Sequence, residues 1–326
     1  MPFWYVSCTT ILKQSRGRIL FFQSTIKDSV KLTGIGLHSG NETTVTLLPA
    51  PVDTGIVFVP DGSDIESGIR AHVDNLRSTH NAISIGINGY DINTIEHFMA
   101  TFYALSITNL YVLVTEHEMP ILDGSSQAIV ETVERAGTVA QNAFYDTFYL
   151  PYPVWVEDNG SYLIALPSSG FKITYTIDFN SKSRAIGTQT AHFSITKDTF
   201  KSSIAPARTF GFFEDIDMMR ANNLALGGSL DNALLYTREG LVNDNLRFDN
   251  ECVRHKILDL IGDLSLSGHN IAAHFIAYKS GHSIDMKLVK KLDIVLKRNR
   301  SVRKVPRKIL TKRKVQFERF KRKINL

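Results

Sequence analysis

The sequence predicts an α+β protein, and three observations carry that expectation. Strand-like and helix-like stretches occur in both halves of the 326 residues, without the regular strand–helix alternation that builds a doubly wound parallel sheet. Between residues 171 and 179, Phe171, Ile173, Tyr175, Ile177 and Phe179 alternate with Lys172, Thr174, Thr176 and Asp178. This is the period of a strand with one wetted face. Residues 249–266 divide, at about 100° per residue, into an apolar stripe of Val253, Ile257, Leu260, Ile261 and Leu264 and an opposite face carrying His255, Asp259 and Asp263. A chain of this length suits two domains of roughly 150 residues each.

Taken in order, Thr44-Val45-Thr46-Leu47 and Gly55-Ile56-Val57-Phe58-Val59 read as strands, punctuated by Pro49, Pro51, Pro60 and Gly62. Residues 94–105 read as a helix, with Asn93 at the N-cap position and Glu96 three residues later, the spacing of a capping box. A strand at 110–115 follows. The Asp123-Gly124-Ser125-Ser126 turn then feeds a helix to Ala136, ended by Gly137. Residues 140–152 are weakly patterned and close on Pro151 and Pro153, which places a domain boundary near residue 145. Beyond it come the strand at 171–179 and helices near 196–203, 214–222 and 249–266. The expected division is 1–25 as an extension, 26–145 and 146–292 as two α+β domains, and 293–326 as a flexible basic tail.

Charge supports this division at both ends. From Lys297 to Leu326 there are 14 Lys or Arg against the single acid Glu318, so the tail carries +13 while the whole chain is +5 and the rest is −8. Such a run is a solvated arm or a contact for an anionic surface. The first 27 residues hold no acid, with Lys13, Arg16, Arg18 and Lys27 among them. They read either as an organelle-targeting leader or as an extension without function. Two cysteines, Cys8 and Cys252, exclude a disulfide framework and a cysteine-rich metal site and favour a reducing compartment. No apolar run reaches the 18 or so residues of a membrane-spanning helix.

The chemistry-bearing residues lie far apart in the chain. His255 and Asp259, one helical turn apart, project in parallel and suit a shared divalent cation, although the same pair is also ordinary on an exposed helix. Thr94-Ile95-Glu96-His97 sets a carboxylate beside a further imidazole. Three N/O ligands with one open position, and a neighbouring glutamate that is not a ligand, make up a hydrolytic metal centre. Glu96 is equally the partner a capping box would use, and the sequence leaves both roles open. His282 follows Gly281 in a loop-like stretch, where a lone histidine is usually inert, although Asp263 could orient such a histidine. Gly211 and Gly227-Gly228-Ser229 allow close backbone approach to a ligand, or are simply turns. Gly34-Ile35-Gly36 lacks the third glycine of a dinucleotide fingerprint, so nucleotide-triphosphate chemistry is not expected.

Seven stretches, in this order and spacing, carry a family resemblance. They are residues 33–40 (TGIGLHSG), 94–97 (TIEH), 120–125 (PILDGS), 207–212 (ARTFGF), 227–233 (GGSLDNA), 254–264 (RHKILDLIGDL) and 277–282 (AYKSGH). Together they resemble the UDP-3-O-acyl-N-acetylglucosamine deacetylases of lipid A synthesis over about residues 26–292. The resemblance implies two β-α-α-β sandwich domains with helices packed between outer sheets, and zinc-dependent removal of acetate from the 2-acetamido group of a UDP-linked, 3-O-acylated glucosamine. By motif it assigns zinc to His97, His255 and Asp259, the general base to Glu96, the general acid to His282 and its orientation to Asp263. It further gives the oxyanion to Thr209, substrate contacts to Lys256, Phe210, Phe179 and Gly228, and an acyl-chain passage to residues 211–235. A bell-shaped rate profile with an acidic base limb and a near-neutral acid limb is expected.

A cytoplasmic monomer, soluble or peripheral to an anionic membrane through residues 297–326, follows from this reading, with an organelle matrix or stroma as the alternative if 1–25 is a transit peptide. Nucleic acid is not an expected partner. The competing function is an anionic-membrane or nucleic-acid binder acting through the tail, and a third is a zinc amidase for another substrate.

Overall fold

Alternating apolar side chains build two main sheets, and two helices from distant parts of the chain meet face to face. The computed structural model describes residues 12–13 and 19–301. In the N-terminal half the strands Val30–Ile35, Glu42–Pro49, Leu110–Val114, Ile56–Pro60 and Ile69–Arg70 form one sheet in that spatial order. Leu110–Val114 runs antiparallel to Glu42–Pro49 and parallel to Ile56–Pro60. Val45, Leu47, Phe58, Leu110, Val112 and Val114 are fully buried on one face, as strand periodicity requires.

The other large sheet is organised on Asn270–Tyr278, a strand absent from the sequence reading. It pairs antiparallel with Ser161–Pro167 and parallel with Lys172–Asp178, and its first residues pair parallel with Thr147 to Tyr149. The alternating stretch at 171–179 is the strand Lys172–Asp178, with Ile173, Tyr175 and Ile177 buried. Mixed parallel and antiparallel pairing together with helices makes the class α+β.

Both ends of the chain differ from expectation. The stretch read as a leader ends inside a strand, Ile19–Ile26, which pairs antiparallel with Thr138–Tyr149. Its polar side chains are used inward: Gln23 is buried, donates to Asp53 Oδ1 and accepts from Asn109 Nδ2. The weakly patterned boundary is the twelve-residue strand Thr138–Tyr149, continuous through residue 145 and shared between Ile19–Ile26 and Asn270–Tyr278. Among the described residues, those up to Lys290 form one compact unit and those from Lys291 onward belong to a second. His282 does not lie in a loop but opens the helix His282–Ser301, so residues 293–301 of the expected tail are helical. The rest of the leader reading, residues 1–11 and 14–18, and tail residues 302–326 lie outside the described residues. Among the described residues no helix is long and apolar enough to cross a membrane.

The helices expected at 94–105 and 249–266 are Glu96–Ala104 and Glu251–Ser265. They cross at Gly262, where an added Cβ would sit 2.2 Å from the Glu96 carbonyl oxygen. Only a residue without a side chain permits that approach. The capping box is not formed. Ile95 is the N-cap residue and makes no side-chain cap, while Asn93 Nδ2 donates to the His117 carbonyl. Thr94 instead enters the helix from left-handed backbone, φ 60°, which strains a β-branched residue by roughly 1–3 kcal/mol. Buried Glu118 fixes it, accepting Thr94 Oγ1 at 3.0 Å along with the backbone N–H groups of His38 at 2.9 Å and Ser39 at 2.7 Å.

Candidate active site

The crossing at Gly262 sets Glu96 and His97 of one helix against His255, Asp259 and Asp263 of the other. The polar face is therefore buried: His97, His255 and Asp259 are each 5% exposed or less, and Asp263 is wholly enclosed. His97 Nε2 lies 3.6 Å and His255 Nε2 3.3 Å from the same oxygen, Asp259 Oδ1. One ligand atom from each of the three lies within 4.8 Å of the others, a group able to hold a metal ion. The tautomer suits this use. His255 Nδ1 bonds the Ala207 carbonyl at 3.0 Å, which leaves Nε2 with its lone pair toward Asp259. Burial holds His255 neutral, down to about 4, against the opposing pull of Asp259.

Lys256 donates to Asp259 Oδ2 at 2.8 Å and thereby turns Oδ1 toward the two imidazoles. Burial opposes both charges, yet Lys256 holds the Asp259 carboxyl well below its usual range, and Asp259 raises Lys256 in return. This contact with Asp259 was not legible as Lys256's part in the site, although the i, i+3 spacing permits it.

Glu96 points into the same space. Its Oε2 accepts the Ile83 N–H at 3.1 Å, and its Oε1 lies 3.9 Å from His282 Nε2. Burial raises the Glu96 carboxyl, and His282 and His97 oppose that rise. On its other side His282 Nδ1 donates to Asp263 Oδ2 at 2.8 Å. Burial disfavours the imidazolium, but Asp263 beside it wins and raises His282 to about 10. In the metal-free chain His282 is thus moved above the near-neutral range of an ordinary imidazole.

That shift has a consequence for stability. A histidine raised above its ordinary 6.5 lends stability that is complete below that pH and lost as pH rises through about 10. In urea titrations of the metal-free protein, the stability gap between wild type and His282→Gln should therefore narrow from pH 6.5 to pH 10. A gap that stays constant would contradict the ion pair.

The remaining expected residues are held in different ways. Thr209 follows Ala207 and Arg208, and its backbone is pinned by an N–H to the Gly124 carbonyl at 2.8 Å. Arg208 is held by buried Glu251, whose carboxylate accepts its backbone N–H at 2.9 Å and its Nε at 2.9 Å. Phe210 meets the His255 ring edge-on, centroids 6.4 Å apart, and Phe179 packs on Phe210 at 5.6 Å. Gly228 sits in the turn at 225–228, its N–H on the Ala225 carbonyl, and neighbouring backbone groups tie this turn to Leu37 and His38.

An α+β framework that buries two imidazoles and a carboxylate around one point, beside a glutamate and an aspartate-backed histidine, has the parts of a metal-dependent amide hydrolase. A family model of UDP-3-O-acyl N-acetylglycosamine deacetylase matches residues 23–293. A protein of Thermodesulfovibrio yellowstonii named UDP-3-O-acyl-N-acetylglucosamine deacetylase is 42% identical over 271 residues, covering 83% of this chain and 91% of the relative. Proteins of the same name from Leptospira biflexa and Syntrophotalea carbinolica are 41% and 39% identical, covering 82% and 84% of this chain and 88% of each relative. The chain belongs to the UDP-3-O-acyl N-acetylglycosamine deacetylase family.

Proposed function

We propose that this protein hydrolyses the 2-acetamido group of a UDP-linked, 3-O-acylated glucosamine, releasing acetate and the free amine, with zinc held by His97, His255 and Asp259. The observation that carries this reading is the convergence of one ligand atom from each of those three side chains within 4.8 Å, next to the Glu96–His282 pair. The donor set is two neutral nitrogens and one anionic oxygen, the composition of catalytic zinc sites. Zinc bound there supplies Lewis-acid polarisation of the amide carbonyl and of the attacking water.

The chain's own residues divide the proton work. Glu96 takes a proton from water as its oxygen forms a bond to the acetyl carbon. The Thr209 hydroxyl hydrogen-bonds the oxygen on which charge develops. His282, kept protonated by Asp263, then gives its Nε2 proton to the departing nitrogen as the C–N bond breaks. An ammonium has three donors, so Lys256 retains two for the polar part of the substrate while one stays on Asp259. Phe179 and Phe210 offer aromatic faces to the nucleoside and sugar, Gly228 a backbone approach, and residues 211–235 a passage for the acyl chain.

Purified protein should contain about one zinc per chain. Chelation should abolish acetate release from the UDP-acyl-sugar, and added zinc should restore it. Full activity in verified metal-free protein, or turnover of other amides without this one, would overturn the reading.

A further inference from the structure

We propose that Asp285 is a positioning residue of this reaction: a neutral carboxyl group whose proton bridges to Asp263 Oδ1 and holds Asp263 on His282. The inference rests on the deacetylase reading for its effect on turnover, and on geometry for the bridge itself. Asp285 lies in the first turn of His282–Ser301 and is wholly enclosed, as is Asp263. Each carboxyl has one satisfied oxygen. Asp263 Oδ2 is on His282, and Asp285 Oδ1 accepts from Ser280 Oγ. Each also has one oxygen with no partner, Asp263 Oδ1 and Asp285 Oδ2. One oxygen from each carboxyl and a ring nitrogen of His282 lie within 4.8 Å of one another.

Two enclosed acceptors on neighbouring carboxyls are unsatisfied together, and one proton shared between the carboxyls satisfies both. The charges around them decide which carboxyl holds it. The Glu251–Ser265 helix contributes Asp263 and Lys256, and the Asp285 helix contributes His282, which also faces Glu96. The strand Lys172–Asp178 contributes Tyr175, whose hydroxyl donates to the Ser280 carbonyl at 2.7 Å and carries no charge. Asp263 is already committed to the His282 cation and Lys256 to Asp259. An ionised Asp285 would be the surplus anion. Burial first, and then the Asp263 charge, accordingly push the Asp285 carboxyl well above the usual range.

Neutral Asp285 and an ionised Asp285 held by the helix N-terminus make opposite predictions for Asp285→Asn. If the carboxyl is neutral, the amide replaces its donor and no charge is lost. The zinc-loaded variant should then keep kcat within about twofold of wild type and an unmoved alkaline limb of the pH–rate profile. Asp285→Ala, checked for native circular dichroism, should lower kcat by about 10-fold to 100-fold and shift that limb, because Asp263 Oδ1 is left bare. An alkaline limb that drops by about one unit in Asp285→Asn, the sign of a removed anion, overturns the proposal. So does an Asp285→Ala enzyme with wild-type kcat and pH profile.

Difference infrared spectra of the holoenzyme supply a readout independent of turnover. A protonated-carboxyl C=O band should be present in wild type and missing from Asp285→Asn, and its absence from wild type overturns the bridge. Wild-type protein that shows the band yet releases no acetate would sink the deacetylase reading alone.

Discussion

Glu96→Gln should lower kcat for acetate release by about 10²–10⁴-fold, the range ascribed to a positioned general base, while leaving the metal content unchanged. The amide cannot take a proton from water, but its carbonyl oxygen can still accept the Ile83 N–H that Glu96 Oε2 receives at 3.1 Å. The local fold is thereby preserved. Glu96 is also outside the group formed by His97, His255 and Asp259, so the ligand set is untouched. Steady-state kinetics paired with metal analysis separate the outcomes. Near-wild-type turnover would remove Glu96 from proton transfer, and parallel loss of metal and activity would make it a ligand instead.

Gly262→Ala should be nearly as damaging, although residue 262 carries no functional group. Its new methyl would lie 2.2 Å from the Glu96 carbonyl oxygen and 2.8 Å from the carbon of that carbonyl, and both are backbone atoms with nowhere to go. The two helices must part. Overpacking of this kind destabilises by about 1–3 kcal/mol, visible as a lower urea midpoint at unchanged slope. The larger effect is on rate, because the shift separates Glu96 and His97 from His255, Asp259 and Asp263. A displacement of about 1 Å in a catalytic constellation can lower turnover about 10²-fold. A variant as stable and as active as wild type would show that the helices do not approach there as described.

The periodic elements were legible because their residues face one environment on each side. Ile173, Tyr175 and Ile177 alternate as a strand should, and Val253, Ile257, Leu260, Ile261 and Leu264 are all buried on Glu251–Ser265. Thr138–Tyr149 was illegible for the opposite reason. None of its side chains is fully buried: exposure only alternates between exposed and half-buried over residues 140–146, and the pairing slips between Ala140 and Phe144, so no buried face demands an apolar alternation in the residue types. Ile19–Ile26 was mistaken for part of a leader because a lack of acids says nothing about Gln23 bonding Asp53 and Asn109 across the fold.

At the site, the alignment of His255, Asp259 and Asp263 on one helix face could be read from spacing, but not that this face is the buried one. Burial there depends on Glu96–Ala104 lying across it, a contact about 160 positions away in the chain. Asp285 is far nearer to Asp263 in the chain but was no more legible. Nothing in Gly281-His282-Ser283-Ile284-Asp285 distinguishes an ordinary helix start from a carboxyl turned inward against Asp263.

The anchoring of Thr94 by Glu118 also joins several of the recognised strings in space. Glu118 is joined to the chain around His38 and Ser39 as well as to Thr94, and its neighbours continue the link, with Pro120 bridging Gly36 and Ile121 bonding Ile35. Three passages that look separate on the page are one mechanical joint. A displacement of any one of them is therefore passed to the other two.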